Sequence, residues 1–222
     1  DPLVSPAKDH VLGFVVSDRE AACAPTWGTY YDLDGAGRQL DLDRRIVRLR
    51  ERGGDVVVSF GGAVNDELAV RCTDADKLLG AYRLVVDRYD LTRVDFDIEG
   101  AAIGDAAANE RRAKAIAQLQ AEARGDGRDL EVWLTLPVAP FGLPEDVLQV
   151  VITTLGGGVD LAGVNVMTMN YGGSREAGQS MGDAHESALT NTHRQLTEAY
   201  AAAGVPLTAE QVWGRIGATP MI

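Results

Sequence analysis

Alternation limits what this chain can become more than any other feature. Six apolar runs of strand length recur along its 222 residues, and helical patterns separate them. The runs are His10 to Ser17, Asp55 to Gly62, Arg93 to Gly100, Leu130 to Val138, Asp160 to Tyr171 and Arg215 to Ile222. Helical patterns fill Leu40 to Arg52, Thr73 to Tyr89, Asp105 to Arg124, Pro144 to Leu155 and Asp183 to Ala203, with a short one at Thr208 to Trp213. The punctuation agrees. Gly53-Gly54 follows the first helix, Thr73-Asp74 opens the second as a cap, and Pro144 stands where a first helical turn tolerates it. The segment CAPTWGTYYD, after the first run, reads as a polar loop.

Strand, helix, strand, repeated, predicts parallel strands with helical crossovers. The runs are mostly continuous apolar stretches, as when helices cover one face and a packed interior the other. Two α/β architectures fit, a doubly wound sheet and a (β/α)8 barrel. No phosphate-cradling GxGxxG or GxxxxGK[ST] follows any run, which weakens the nucleotide-binding version. A barrel of eight units takes about 250 residues, and six units are counted here. The first and last strands of a barrel are neighbours, so one unit lacking at each end leaves one contiguous gap. The expectation is a single barrel domain over 1–222, truncated at both ends or open at a seam.

Composition narrows the function. Thirty-three acidic residues against 21 Lys and Arg give a net charge of −12, which repels a phosphate backbone and argues against nucleic acid as a partner. No run of 18 apolar residues suggests a membrane span. His10, His185 and His193 share no metal-ligand spacing, and neither a metal nor a cofactor is expected. Cys23 and Cys72 form no CxxC or zinc pattern; they are one disulfide in an exported chain or two thiols in a reducing compartment. The chain opens on the polar Asp1-Pro2 with no signal peptide, as a processed mature protein or a cytosolic one would.

The sharpest local feature is Asp95-Phe96-Asp97-Ile98-Glu99-Gly100. On a strand, Asp95, Asp97 and Glu99 share one face, spaced about 6.6 Å apart, and Val94, Phe96 and Ile98 take the other. Inward-facing acids in a row repel one another and lose hydration, so at least one should hold a proton near neutral pH. Glu99 stands nearest the carboxyl end of the strand, where parallel α/β folds place their chemistry. It is the natural general acid, with Asp97 as its charge partner. A solvated edge strand would not need the apolar partners, and an EF-hand reading puts Ala106 where a bidentate Glu is required. A carboxylate cluster for magnesium stays open on this segment alone.

The segment resembles the signature of family 18 glycoside hydrolases, the chitinase family, D-x-x-D-x-D-x-E on the fourth barrel strand. Here Thr92 stands at the first position, and Asp95, Asp97 and Glu99 match the rest. The family's S-x-G-G matches Ser59-Phe60-Gly61-Gly62, and its M-x-Y-D matches Met169-Asn170-Tyr171 with Gly172 in place of the last acid. The wording is similar to the secreted bacterial branch. On this resemblance, 10–222 correspond to barrel strands two to seven.

The resemblance implies a retaining chitinase whose substrate, chitin or a chito-oligosaccharide, supplies its own nucleophile. Glu99 would protonate the glycosidic oxygen, Asp97 would hold the acetamido nitrogen, Asp95 would share a proton with Asp97, and Tyr171 would hold the acetamido oxygen. Phe14, Trp27, Phe60, Gly61, Gly62, Met167, Met169 and Asn170 are expected to line the substrate pocket, with Met167, Met169 and Tyr171 on one strand face. Aromatics of the Trp27, Tyr30, Tyr31 loop would stack on sugar faces. A Cys23–Cys72 bridge would tie two loops on the catalytic face and favour a secreted enzyme. An endo-β-N-acetylglucosaminidase acting on glycans would use the same residues, and a non-catalytic chitin-binding relative would keep only the surface.

Overall fold

The computed structural model describes residues 7–221; Asp1-Pro2, where the sequence opens, and Ile222, where the last expected strand ends, lie outside them. In chain order the strands are β1 (Asp9–Ser17), β2 (Pro25–Trp27), β3 (Tyr31–Asp32), β4 (Asp55–Gly61), β5 (Arg93–Asp97), β6 (Glu131–Pro137), β7 (Leu161–Met167) and β8 (Ile216–Ala218). The helices are α1 (Leu33–Leu40), α2 (Leu42–Arg50), α3 (Leu68–Arg71), α4 (Ala75–Tyr89), α5 (Ala106–Gly125), α6 (Glu145–Gly156), α7 (Met181–Ala202) and α8 (Ala209–Trp213).

One sheet runs β3-β2-β1-β4-β5-β6-β7-β8. The six runs read from the sequence are its six parallel strands, β1 and β4 to β8. Among the described residues the sheet is not closed: β3 and β8 are its edges. Only Val15 to Ser17 of β1 pair with β2, so the rest of β1 has β4 as its single strand neighbour.

Burial follows the alternation. Val58, Phe60, Val94, Phe96, Val132, Leu134, Leu136, Val164 and Val166 are buried on the helix-covered side. There Phe60 stacks on Phe96 with centroids 5.0 Å apart, and Tyr82 of α4 meets both rings edge-on. The helices begin at side-chain caps, as the residue order predicts: Asp74 accepts from Lys77 N at 3.1 Å and Asp105 from Ala108 N at 2.9 Å.

Three local expectations are corrected. The loop expected after β1 is a hairpin, β2 and β3, turning at Gly28 and Thr29, which both take positive φ. Strands of three and two residues carry too little periodicity to be read, and the pairing with Val15 to Ser17 supplies what the local pattern lacks. The helix expected over Leu40 to Arg52 is α2, Leu42–Arg50; α1, which the pattern does not reveal, precedes it, and Asp41 takes a left-handed conformation that breaks the ladder between the two. The run to Tyr171 pairs only as far as Met167, where β7 ends.

Candidate active site

Strand β5 sets the site. Its pleat turns Asp95 and Asp97 away from the helices, and Glu99, still extended at φ −131°, continues the alternation beyond the last paired residue. The register aligns Ser59 with Asp95 and Trp133, and Gly61 with Asp97 and Thr135. Asn165 lies opposite Thr135 on the next strand. These side chains line an open trough of about 520 Å³, walled by Val11, Phe14 and Val57 on one side and by Trp133, Asn165 and Thr219 on the other. A second cleft of about 370 Å³ lies where the loops after β4 and β5 meet; Asp97 lines both, and Glu99 lines the second.

Asp95 is buried and holds two hydroxyl donors: Ser59 Oγ at 2.5 Å on Oδ2 and Thr135 Oγ1 at 2.8 Å on Oδ1. Asn165 Nδ2 donates to Thr135 Oγ1 at 3.1 Å and to Thr219 Oγ1 at 2.8 Å. The hydroxyls favour the charged form, but burial outweighs them and pushes the Asp95 carboxyl up to about 6. Asp97 is pushed further, up to about 8, first by burial and then by the charges of Glu99 and Asp95 beside it and a hydrogen bond with Glu99. The row therefore holds a proton at neutral pH, as the spacing of the acids predicts. Among the described residues no group of three or more His, Cys, Asp and Glu side chains is placed to hold a metal ion.

Two glycines let the strands close up around this row. Gly61 has φ +102°, and a Cβ on it would overlap the carbonyl oxygen of Asp97. Gly62 N donates to that same oxygen at 3.0 Å, and a Cβ on Gly62 would come within 2.9 Å of the Phe14 ring. The expected pocket glycines are thus spacers that bring β4, β5 and the β1 aromatic together.

Tyr171 does not continue the β7 strand as expected. Beyond Met167 the chain leaves the sheet, Asn170 turns left-handed at φ +51°, and Tyr171 is helical in backbone. Its ring is buried edge-on to His185 of α7, with centroids 5.7 Å apart. Burial pushes its phenol up. The Tyr171 hydroxyl and Asp97 Oδ1 are buried with no hydrogen-bond partner among the described residues. Buried polar atoms are almost always satisfied, and Asp97 lines both clefts, where a ligand's polar group can reach it.

The other sequence-predicted residues divide. Phe14, 40% exposed, stands over the trough. Trp27 is not an exposed platform: it is 8% exposed, edge-on to Tyr89, and its indole N–H donates to the Tyr89 hydroxyl at 2.9 Å. Its neighbour Tyr30 is the exposed ring of that hairpin. Trp27 still lines a cavity of about 770 Å³ with Phe14, Tyr30 and Tyr31, whereas Phe60 is no pocket residue, since alternation turns Ser59 to the trough and Phe60 under the helices. Met167 and Met169 are half-buried at the end of β7, and Asn170 is exposed. Cys23 and Cys72 are bridged, joining the loop before β2 to the end of α3.

Sequence reading missed Thr135, Trp133, Asn165 and Thr219. The signal existed for two of them: in Glu131 to Pro137 the residues alternating with Val132, Leu134 and Leu136 must face the acids. Room for Trp133 comes from Gly163, whose Cβ would overlap the indole.

No family model matches the chain. It is 38% identical over 99% of its length to the probable bifunctional chitinase/lysozyme of Escherichia coli (strain K12), spanning 25% of that protein. It is 36% identical over 97% of its length to endochitinase 11 of Metarhizium anisopliae, spanning 41% of it. Among solved structures, it resembles active domain 2 of a thermostable chitinase from Pyrococcus furiosus, determined as catalytic-site mutants in complex with chito-oligosaccharides. That likeness has a TM-score of 0.79 and 29% identity, over 97% of this chain and 64% of that one.

Proposed function

We propose that this chain, similar over nearly its whole length to chitinases, belongs to the family 18 glycoside hydrolases and is a chitinase, cleaving β-1,4 links between N-acetylglucosamine units by a retaining, substrate-assisted reaction. The observation that carries this reading is the row Asp95, Asp97, Glu99, in which Asp97 Oδ1 is buried without a partner among the described residues and Asp97 lines both clefts; the Tyr171 hydroxyl is likewise buried and lacks a partner there. An acetamido group supplies what such a pair needs, an N–H for the carboxylate and a carbonyl oxygen for the phenol.

In this reading Glu99, half-exposed at the end of the row, delivers its proton to the glycosidic oxygen as the anomeric carbon–oxygen bond breaks. The acetamido carbonyl oxygen bonds to the anomeric carbon from the opposite face, giving an oxazolinium ion. Asp97 accepts the acetamido N–H and its negative charge stabilises that cation, while the proton it held passes to Asp95, the buried carboxyl that Ser59 and Thr135 hold by hydrogen bonds. Tyr171 donates to the acetamido oxygen and aligns it. Water, deprotonated by Glu99, then opens the ring, so the product keeps the starting configuration. Phe14 and Trp133 offer apolar surface to sugar faces.

We place the enzyme in an oxidising, extracytoplasmic setting, supported by the Cys23–Cys72 bridge. The test is hydrolysis of a fluorogenic chito-oligosaccharide by the protein beside its Glu99→Gln variant. Release by the parent with loss in the variant is expected. Equal release by both removes Glu99 from the mechanism; none from either, with chitin still bound, makes the protein a binding relative. Release from high-mannose glycans in preference to chitin would reassign it to glycan processing.

A further inference from the structure

A buried ion pair stands behind the acid's cleft, and the chemistry above does not use it. Glu67 precedes α3, Arg112 lies in α5, and each side chain is 2% exposed. Arg112 Nε donates to Glu67 Oε2 at 3.0 Å, Ala69 N donates to the same oxygen at 2.9 Å, and the Tyr82 hydroxyl donates to Oε1 at 2.5 Å. Glu67 lines the 370 Å³ cleft together with Asp97 and Glu99. Its Cγ would lie 3.4 Å from a Cβ on Gly61, the residue whose backbone presses on Asp97.

From Arg112 a line of hydrogen bonds leads to the acid. Nη1 donates to Asn109 Oδ1 at 2.6 Å, Asn109 Nδ2 donates to the Ile103 carbonyl at 2.9 Å, and Ile103 N donates to the Gly100 carbonyl at 3.3 Å. Ala102 N donates to the carbonyl of Glu99 itself at 3.2 Å. A second arm joins the same elements, Arg111 Nη2 donating to the Ala69 carbonyl at 2.5 Å. The other charged groups facing the cleft are Asp66, which Arg71 pairs at 4.0 Å, and Asp105, the cap of α5; the cation on Glu67 is Arg112. Burying an ion pair costs desolvation that apolar packing would avoid, so the pair is weak as a stabiliser and strong as a registry device.

We propose that Glu67 and Arg112 are a positioning pair for Glu99: by joining the loop after β4 to the start of α5, they fix where the segment Glu99–Asp105 holds the acid relative to Asp97. The proposal rests on the reading of Glu99 as proton donor.

The test compares Glu67→Gln, Arg112→Lys and the double variant Glu67→Gln/Arg112→Gln. The double variant removes both buried charges together and keeps a fold if either single variant fails to. In every folded variant kcat is expected to fall about 10- to 100-fold with KM within about threefold, because a shift of about 1 Å costs that much in the reacting step and leaves binding intact. The Asp97 carboxyl, followed by carbon-13 NMR, is expected to titrate lower than in the parent as Glu99 moves away from it. A folded double variant with parental kcat and parental Asp97 titration, or changes in Tm alone, overturns the proposal. The NMR arm needs no turnover. If Glu99→Gln proves fully active the assigned acid is wrong, and the Asp97 titration still decides whether the pair holds the loop.

Discussion

Replacing Asp95 by Asn should make the protein more stable, and only above about pH 4. Asp95 is 5% exposed, and burial raises its carboxyl from 3.8 to about 6. Below pH 4 both the folded and the unfolded chain carry the proton. Between pH 4 and 6 the unfolded chain releases it and the folded chain keeps it, so the folded state binds more protons and stability falls as pH rises. Above pH 6 both are ionised and the loss is complete. About two units at ~1.4 kcal/mol each bound it near 3 kcal/mol. The amide keeps the hydrogen-bond count. Thr135 Oγ1 already accepts from Asn165, so it donates to the amide oxygen, while Ser59 Oγ is free to accept from the amide nitrogen.

Urea unfolding of parent and Asp95→Asn at whole pH steps from 4 to 8 measures the difference. It should be near zero at pH 4, rise through pH 5 to 6 and level off at about 2–3 kcal/mol in favour of the variant at pH 7 to 8. Hydrolysis should fall over the same range, a stability gain made at the expense of function. A difference that is flat in pH, or a variant less stable than the parent at pH 8, would refute the argument that burial rather than hydrogen bonding dominates this carboxyl.

Tyr171→Phe should lower kcat about 100- to 1000-fold, as removing one donor to a developing charge does, with the fold unchanged because the hydroxyl has no partner among the described residues; steady-state kinetics and Tm check both halves. Gly61→Ala should cost about 2–4 kcal/mol, adding positive-φ strain to a clash with the Asp97 carbonyl; a denaturation midpoint equal to the parent's would show that β4 and β5 can separate freely. Changing Cys23 and Cys72 together to Ser should cost about 2–4 kcal/mol by releasing a 49-residue separation in the unfolded chain, read from urea midpoints, and should leave kcat near the parent's. Thr135→Val should move the Asp95 titration upward, since it deletes a donor to the charged form; an unchanged NMR midpoint would remove Thr135 from the site.

What the sequence by itself determined was periodic and local. Six runs became six parallel strands, because alternation of strand and helix leaves parallel pairing as the solution. The two-residue period of β5 put Asp95 and Asp97 on one face and Phe96 under the helices, and the same rule placed Ser59 and buried Phe60. Tertiary structure decided whatever depends on partners far away in the chain. Trp27 is a core residue because Tyr89, 62 positions later, satisfies its indole. Thr135, Asn165 and Thr219 join the site through register across β6, β7 and the segment after β8. Tyr171 arrives through a left-handed Asn170 that no alternation predicts. Glu67 and Arg112, 45 residues apart, are ordinary charges in sequence and become a buried pair only when α5 packs against the loop after β4. Periodicity is written in neighbours; complementarity between distant segments exists only once the sheet has assembled.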